Sequence, residues 1–242
     1  MPNLELDLNI LSLQFAFFLN DCKYPDKLSL ANSLTSASDG LLDGEPSVLP
    51  IPFTEESVPP EVPRISLKSK DETYLCKVAS NRIDLFFKET GIPSRTIESV
   101  WSDFCDLALK IAAFIAAGPL AKISRLGFVT RSLSRTKEEA PEYIADLYLR
   151  EDVFERPAEV QLNVLHKLTA GPFQLNRWTK LRNAEMVLKD ERQPVIVVET
   201  DINTLPSEGQ TFSIKDVRKF LDVARETNDT ALESIVAQAR KS

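Results

Sequence analysis

The residue types that support catalysis are present in this sequence, but their spacing matches no catalytic motif. His166 is the only histidine, so a Ser/His/Asp or Cys/His arrangement would have to use that residue. It continues the alternation of Val160, Leu162 and Val164, which indicates a structural imidazole on or beside the core face of a strand. The chain also lacks a GxGxxG or Walker loop, a GxSxG elbow and an HExxH pair. We therefore predict no catalytic residue and no cofactor.

Carboxylates offer a second kind of chemistry. Metal-dependent cleavage of a phosphodiester needs several of them to converge on a divalent cation. The candidates are Asp84, Asp103, Asp106, Glu199, Asp201 and Asp216. Nothing in their spacing brings them together, so a metal-dependent hydrolase is an alternative interpretation and we assign no metal ligand. A Cys/His zinc site is disfavoured because there is one histidine and no close pair of cysteines.

Basic side chains concentrate around one predicted strand. In chain order they are Lys122, Arg125, Arg131, Arg135 and Lys137. We name Arg125, Arg131 and Arg135 as candidate contacts to nucleic acid, although a solvated strand end explains the same pattern without a ligand. The net charge of −7 disfavours nucleic acid as a partner of the whole chain, so this is also an alternative interpretation.

Negative charge collects in a proline-rich segment. No Lys or Arg occurs from Leu28 to Pro63. We call residues 35–63 the acidic connection, and Glu55 and Glu56 are its candidate interaction residues. One interpretation is a solvated connection that wraps the sheet, with a short helix near its start. The other is a docking segment that becomes ordered on a protein partner.

The composition is that of an ordinary globular protein, with 242 residues, 43% hydrophobic and 27% charged. No apolar run approaches the ~20 residues that a membrane-spanning helix needs. The acidic residues before the apolar run at 15–19 argue against a signal peptide. Cys22, Cys76 and Cys105 are widely spaced, which indicates free thiols in a reducing compartment. We expect a cytoplasmic protein without a membrane partner.

Alternating apolar residues predict several strands followed by one long helix in the first half of the chain. The predicted strands are 4–19, 65–68, 74–78 and 83–87. In the first of these the apolar phase shifts by one residue after Ile10, which predicts either one long strand with a β-bulge or two strands. Apolar residues then recur every three or four positions from Ile97 to Ile115. We expect this helix to be capped by Ser94 and to end at Gly118 in the left-handed conformation.

The second half repeats this order. The predicted strands are 121–133, 160–164, 173–178, 184–188 and 195–203, with a short helix opening at Pro141 and a turn over 190–194. The last helix begins with a capping box formed by Ser213 and Asp216, and Phe212 and Val217 are spaced as a hydrophobic staple. Asn228 falls on the apolar stripe of that helix, so the helix either breaks there or buries an amide.

These elements predict an α+β fold. We expect one domain over residues 1–242 with two halves, 1–118 and 119–242. Each half supplies a strand, a hairpin series and a long helix. The strands form an antiparallel sheet, and the long helices pack on one of its faces.

Three short motifs carry a family resemblance. They are Pro60–Leu67 with Asn81–Asp84, then Ser124–Phe128, and finally Val197–Asn203 followed by Phe212 and the last helix. Together they resemble a sporadically distributed, uncharacterised family of prokaryotic proteins of about this size. The resemblance implies no established activity. The patchy distribution of that family is similar to that of defence or mobile-element genes.

Our leading interpretation is a non-catalytic binding or interaction protein. Its expected partner is another protein or a second copy of the chain. The hydrolase and the nucleic-acid binder remain the two alternatives.

Overall fold

A computed structural model describes residues 6–20, 24, 26–118, 121–136, 140–149, 157–188 and 191–239. The strands are β1 (Asn9–Asn20), β2 (Ser47–Val48), β3 (Ile65–Lys68), β4 (Tyr74–Val78), β5 (Arg82–Lys88), β6 (Lys122–Arg135), β7 (Gln161–Ala170), β8 (Phe173–Leu188) and β9 (Glu191–Thr204). The helices are α1 (Lys27–Ala37), α2 (Ile97–Ala117), α3 (Ala140–Tyr148) and α4 (Ile214–Ala239).

The strands form one antiparallel sheet in the order β2-β3-β4-β5-β1-β6-β9-β8-β7. β1 and β6 pair along almost their whole length at its middle, and the elements that follow them in sequence extend the sheet on either side. The predicted α+β class with an antiparallel sheet is therefore confirmed. Among the described residues, no helix is both long and apolar enough to cross a membrane.

The predicted bulge in the first strand is confirmed. The register of β1 against β6 shifts between Ile10 and Ser12, where the apolar phase changes in the sequence. Because of this shift, Ile10 and Leu13 lie in the same buried core despite their odd spacing. The strand begins at Asn9, and residues 4 and 5 of the predicted strand lie outside the described residues.

The helices α2 and α4 cover one face of the sheet. The ring of Phe15 on β1 lies 5.9 Å from that of Phe220 on α4, edge to face. Trp101 on α2 meets Phe128 on β6 in the same way at 5.4 Å. Edge-to-face aromatic pairs add to the burial of apolar surface, so these contacts hold both helices against the middle of the sheet.

The predicted N-cap of α2 is wrong, whereas the predicted end at Gly118 is confirmed in position but not in conformation. The N-cap is Thr96 rather than Ser94, and its side chain makes no capping hydrogen bond. Gly118 has φ −97° and ψ 161°, which is extended backbone and not the left-handed conformation. Gly118 therefore has a backbone conformation that any residue can adopt and does not form a left-handed cap.

The second hairpin series also differs from the prediction. β8 is one continuous strand, and the predicted turn over 190–194 is wrong for Glu191–Pro194, which belong to β9 and pair with β8. Lys189 and Asp190 lie outside the described residues. The carbonyl of Pro194 accepts a 3.2 Å hydrogen bond from Thr136 N. Proline can accept this bond although it has no N–H to donate, so it is accommodated at this position of β9.

The start of α4 is confirmed. Ser213 N donates to Asp216 Oδ2 at 2.9 Å, and Asp216 N donates to Ser213 Oγ at 3.3 Å. Phe212 and Val217 are both buried in the main core, as a staple requires. The helix does not break at Asn228, which is fully buried.

The acidic connection packs against the first edge of the sheet. α1 precedes it, capped by Asp26, whose carboxylate accepts a 2.9 Å hydrogen bond from Ser29 N. β2 pairs with β3, and the buried Arg64 donates to the carbonyls of Val62 at 2.7 Å and Pro52 at 3.3 Å. The connection with a short helix is therefore the interpretation that the fold supports. The single-domain assignment stays a prediction.

Candidate functional site

The face of the sheet that α2 and α4 leave uncovered is the candidate site, and we call it the open face. Alternate residues of β1, β5, β6 and β9 project onto it. They form a groove of about 240 Å³ whose walls include Gln14, Phe18, Arg82, Arg125, Arg131 and Glu199. The small residues Ala16 and Gly127 form the floor of the groove, where they face each other across the central strand pair. The groove therefore lies over the middle of the sheet.

Phe18 stands at one end of this groove between two arginines. It is the register partner of Arg82 on β5 and of Arg125 on β6. The two guanidinium carbons lie 4.9 Å and 4.8 Å from the centroid of its ring. A ring face attracts cations, so Phe18 lets two positive charges approach each other on adjacent strands.

Arg125 is fixed by further contacts. Its Nε donates to the carbonyl of Thr204 at 3.1 Å, and its Nη2 donates to Asn203 Oδ1. Asn203 in turn donates to Asp201 Oδ1 at 2.8 Å. Burial lowers the pKa of Arg125, as does the charge of Arg82, while Asp201 acts in the opposite direction. The side chain is thus positioned by backbone and amide oxygens, without a direct carboxylate partner among the described residues.

Arg82 and Arg131 each contact a carboxylate. Arg82 Nη2 donates to Asp84 Oδ1, which also accepts a 3.1 Å hydrogen bond from Gln14. Glu199 accepts from Arg131 Nε at 2.5 Å and from Lys180 Nζ at 2.7 Å. These pairs preorganise the cations of the groove and leave part of each guanidinium or ammonium group to solvent.

Opposing effects act on the pKa of Glu199. Burial favours its neutral form, but the hydrogen bonds and charges of Lys180 and Arg131 outweigh burial and hold its pKa below the ordinary value. Glu199 therefore carries a negative charge near neutral pH and serves as the bridge between β6 and β8.

The register of the strands extends the basic surface beyond the groove. Lys77 lies opposite Asp84, Lys88 opposite Ser12, Lys167 opposite Asn176, and Arg182 opposite Val197. Cross-strand partners share a face, so these cations also belong to the open face. None of the four forms an ion pair with a described residue.

Positive charge outnumbers negative charge on this face. Its basic residues are Lys68, Lys77, Arg82, Lys88, Lys122, Arg125, Arg131, Arg135, Lys167, Lys180 and Arg182, and its acidic residues are Asp84, Glu191, Glu199 and Asp201. The whole chain nevertheless carries −7. The fold has therefore separated the charges and placed the excess of acidic residues on the helices and connections.

Aromatic surface accompanies the cations. The side chain of Trp178 is 38% exposed and lies opposite Asp201 on β9 and Leu165 on β7. On the other side of the face, Lys77 Nζ lies 5.3 Å from the centroid of Phe86. The open face thus presents flat apolar groups between its charges.

The three arginines that the sequence analysis named as candidates do not all lie together. Arg125 and Arg131 both line the groove. Arg135 lies farther along the same side of β6, beyond Leu133, which packs with Val195 and Val197 in a small apolar cluster.

Glu55 and Glu56 lie on the connection between β2 and β3, which is at one edge of the sheet and away from β6. Both are exposed, and Glu55 Oε1 accepts a 2.7 Å hydrogen bond from Ser57 Oγ. The acidic candidates therefore do not join the basic candidates in one site. Docking of a protein through Glu55 and Glu56 stays a prediction.

The sequence interpretation missed Phe18, Arg82, Lys180 and Glu199 as members of the site. Part of the signal was present in the alternation of each strand: Phe18 and Glu199 stand between two buried residues, and Arg82 and Lys180 each stand next to one. Only the pairing of β1 with β5 and of β9 with β8 brings them to Arg125 and Arg131.

The carboxylate candidates do not converge. Asp84, Glu199 and Asp201 lie on the open face, with β1 and β6 between β5 and β9. Asp103 and Asp106 lie on α2. In the part of the chain that the structure describes, no three His, Cys, Asp or Glu residues form a group able to hold a metal ion.

His166 lies on the predicted side of its strand, the side that faces the helices, but it is not buried. It is exposed on β7, the last strand of the sheet, and its Nδ1 lies 3.3 Å from Arg177 Nη2. Alternation placed it on the correct side of the strand, but the helices do not cover that part of the edge.

Two of the three cysteines can be placed. Cys76 is a buried free thiol and Cys105 a partly buried one. Burial raises the pKa of both, that of Cys105 to about 12, so neither is an activated thiolate. Cys22 lies outside the described residues.

No protein-family model and no curated protein matches this chain. The resemblance to the sporadically distributed prokaryotic family therefore stays a prediction.

Proposed function

We propose that this chain is a non-catalytic binding protein whose open face binds single-stranded nucleic acid. The observation that carries the proposal is the surplus of Lys and Arg over Asp and Glu across the helix-free face of the sheet. Phosphates would contact the cations, and bases would stack on the exposed Trp178.

The shape of the face favours a single strand over a duplex. The groove lies on a broad sheet, and no helix of the described residues projects from this face to enter a major groove. From Lys77 on β4 to Lys180 on β8 the cations span roughly 24 Å at ~4.8 Å per strand. A sheet with cations and stacking surfaces suits an unpaired strand, whose bases are free to lie flat on it.

The negative net charge does not oppose this proposal. The acidic connection lies at the β2 edge of the sheet, with β3, β4 and β5 between β2 and the central pair. At physiological salt, charges separated by more than about 8 Å are largely screened. The local field at the groove is therefore set by the cations of the open face.

Fluorescence anisotropy of a labelled oligothymidine, titrated with the protein at several salt concentrations, tests the proposal. We expect binding that weakens as salt increases. Replacing Lys77, Lys88 and Arg182 together by Gln should weaken binding at low salt. It should also reduce the slope of log K against log salt by about 2, because each phosphate contact on a single strand contributes about 0.7.

A matched control lies on α4. Lys215, Arg218 and Lys219 are exposed on the helical side, and their replacement by Gln removes the same two lysines and one arginine. This control should bind as the unmodified protein does. Absent or salt-insensitive binding, or equal losses in the two triple variants, would overturn the proposal.

We infer further that residues 1–118 and 119–242 are two corresponding halves of one domain. Reading outward from the centre, the sheet runs β1-β5-β4-β3-β2 on one side and β6-β9-β8-β7 on the other, so only the two-residue β2 has no counterpart. In each half a short helix follows the central strand and a long helix follows the last strand. This correspondence would put Phe18 and Arg125 at the junction of the halves. The free thiols of Cys76 and Cys105 support a cytoplasmic location.

A further inference from the structure

The two edges of the sheet are protected to different extents. β2, at one edge, has two residues and lies within the proline-rich acidic connection. β7, at the other edge, has ten residues, most of them exposed. Long uncovered edge strands are uncommon in monomeric proteins, because their free N–H and C=O groups can pair with another strand.

The residues of β7 that direct their backbone outward can be identified. Val160 O accepts a 3.3 Å hydrogen bond from Asn183 N, so Val160 directs its backbone towards β8. Since this orientation alternates along an antiparallel pair, the residues that face away from β8 are Gln161, Asn163, Leu165, Lys167 and Thr169. In the part of the chain that the structure describes, no strand pairs with this edge.

Exposed apolar side chains flank this edge on both faces. Val164, 47% exposed, and Tyr148, 36% exposed, line one cavity of about 160 Å³ on the helical side. Leu165 and Trp178 are each 38% exposed and are register partners on the open face. A strand added to β7 would cover apolar surface on both sides at once.

We propose that β7 pairs with β7 of a second copy of this chain, antiparallel and about a two-fold axis. The strand is self-complementary in this arrangement. With the axis at Leu165, that residue meets its own copy, Leu162 meets Leu168, and Lys167 meets Asn163. Lys167 carries the only formal charge in β7, and the arrangement keeps it away from its own copy. The dimer has one continuous sheet in which the two open faces lie side by side.

This inference does not depend on nucleic-acid binding, and its test uses the protein alone. Size-exclusion chromatography with light scattering should give twice the monomer mass of 27.1 kDa, falling towards one chain on dilution. Leu165→Lys places like charges opposite each other at the axis and removes the central apolar contact. We expect it to weaken dimerisation by at least about tenfold.

Two further variants keep this test interpretable. Leu28→Lys adds the same charge at a 60% exposed leucine on α1 and should leave the dimer intact. Asn163→Pro removes an N–H that points away from β8, so the monomer keeps its sheet while the dimer loses a bond. Thermal melting of each variant verifies that it is folded.

Hydrogen exchange then locates the interface. The amides of Leu165 and Lys167 should exchange slowly in the dimer and rapidly in Leu165→Lys. A single-chain mass at high micromolar concentration would overturn the proposal. So would a dimer that survives both β7 variants while these amides exchange rapidly.

Discussion

Asn228 Oδ1, in the middle of α4, accepts a 2.7 Å hydrogen bond from Thr130 Oγ1 on β6. A second bond, of 2.6 Å, comes from Thr200 Oγ1 on β9. All three side chains are buried. A hydrogen-bonded amide is tolerated in a core, so the helix continues through Asn228, and the cluster fixes α4 above the two strands.

We predict that Asn228→Ala lowers the free energy of unfolding by about 1–3 kcal/mol, because a buried threonine hydroxyl loses its acceptor. Urea denaturation measures this change. Thr230→Ala, which removes an exposed hydroxyl bonded to Glu226 O in the same helix, is the control and should change it by less than about 0.5 kcal/mol. An effect of Asn228→Ala no larger than that of the control would contradict the prediction.

Phe18 should stabilise the fold through its two arginine contacts. Phe18→Leu keeps an apolar side chain but removes the ring faced by Arg82 and Arg125. We expect a loss of about 1–2 kcal/mol, since each cation–π contact contributes about 0.5–1 kcal/mol. Phe86→Leu removes a single contact, with Lys77, and should cost about half as much. Thermal or urea unfolding of the two variants decides whether this ratio holds.

Glu199 should make the protein sensitive to acid. Its pKa is held below the ordinary value of 4.5 in the folded state. A depressed folded pKa contributes stability that is present above the unfolded pKa and is lost as pH falls through the folded pKa. Glu199→Gln should therefore flatten the decline of stability between about pH 5 and pH 3.

Lys180→Gln is a control that removes only one of the two cations bonded to Glu199. It leaves Arg131 as a donor to Glu199 and should give an intermediate pH profile. Urea titrations at each pH provide the measurement. A Glu199→Gln profile parallel to that of the unmodified protein would exclude Glu199 as the source of the acid sensitivity.

Arg64 should hold the acidic connection in place. Its side chain is fully buried and donates to the carbonyls of Pro52 and Val62. We expect Arg64→Met to increase cleavage by a Glu-specific protease at Glu55, Glu56 or Glu61 about tenfold, which corresponds to about 1.4 kcal/mol of local stability. Arg192→Met, at an exposed ion pair on β9, should leave this rate unchanged. Equal rates in both variants would show that Arg64 does not restrain the segment.

Local elements were predictable because their determinants are close in sequence. The bulge in β1 follows from the apolar phase shift after Ile10, and the start of α4 follows from Ser213 and Asp216, three residues apart. The N-cap of α2 was not predictable from such signals, because Ser94 and Thr96 are both suitable capping residues and lie two positions apart. Gly118 marked the end of the helix correctly, but glycine permits a left-handed conformation without requiring one.

Two arginines of the candidate site could also be grouped from local sequence alone. Arg125 and Arg131 lie on one strand, so their shared parity already indicated a common face. Phe18, Arg82 and Lys180 come from three other strands, and no spacing in the sequence relates them to β6. The charge of the open face was hidden for the same reason, since net charge is a sum over the chain and carries no position.

The apolar pattern of the sequence predicted most of the strands and helices and the apolar side of each, although it placed a turn at Glu191–Pro194, which belong to β9. Solvent and backbone geometry set that pattern over a few residues. The tertiary structure alone shows which strands are neighbours, and this pairing separated the cations of the open face from the acidic connection. It also decided that β7 is an uncovered edge. Strand pairing joins residues far apart in the chain, and its free energy comes from cross-strand contacts that no local segment contains.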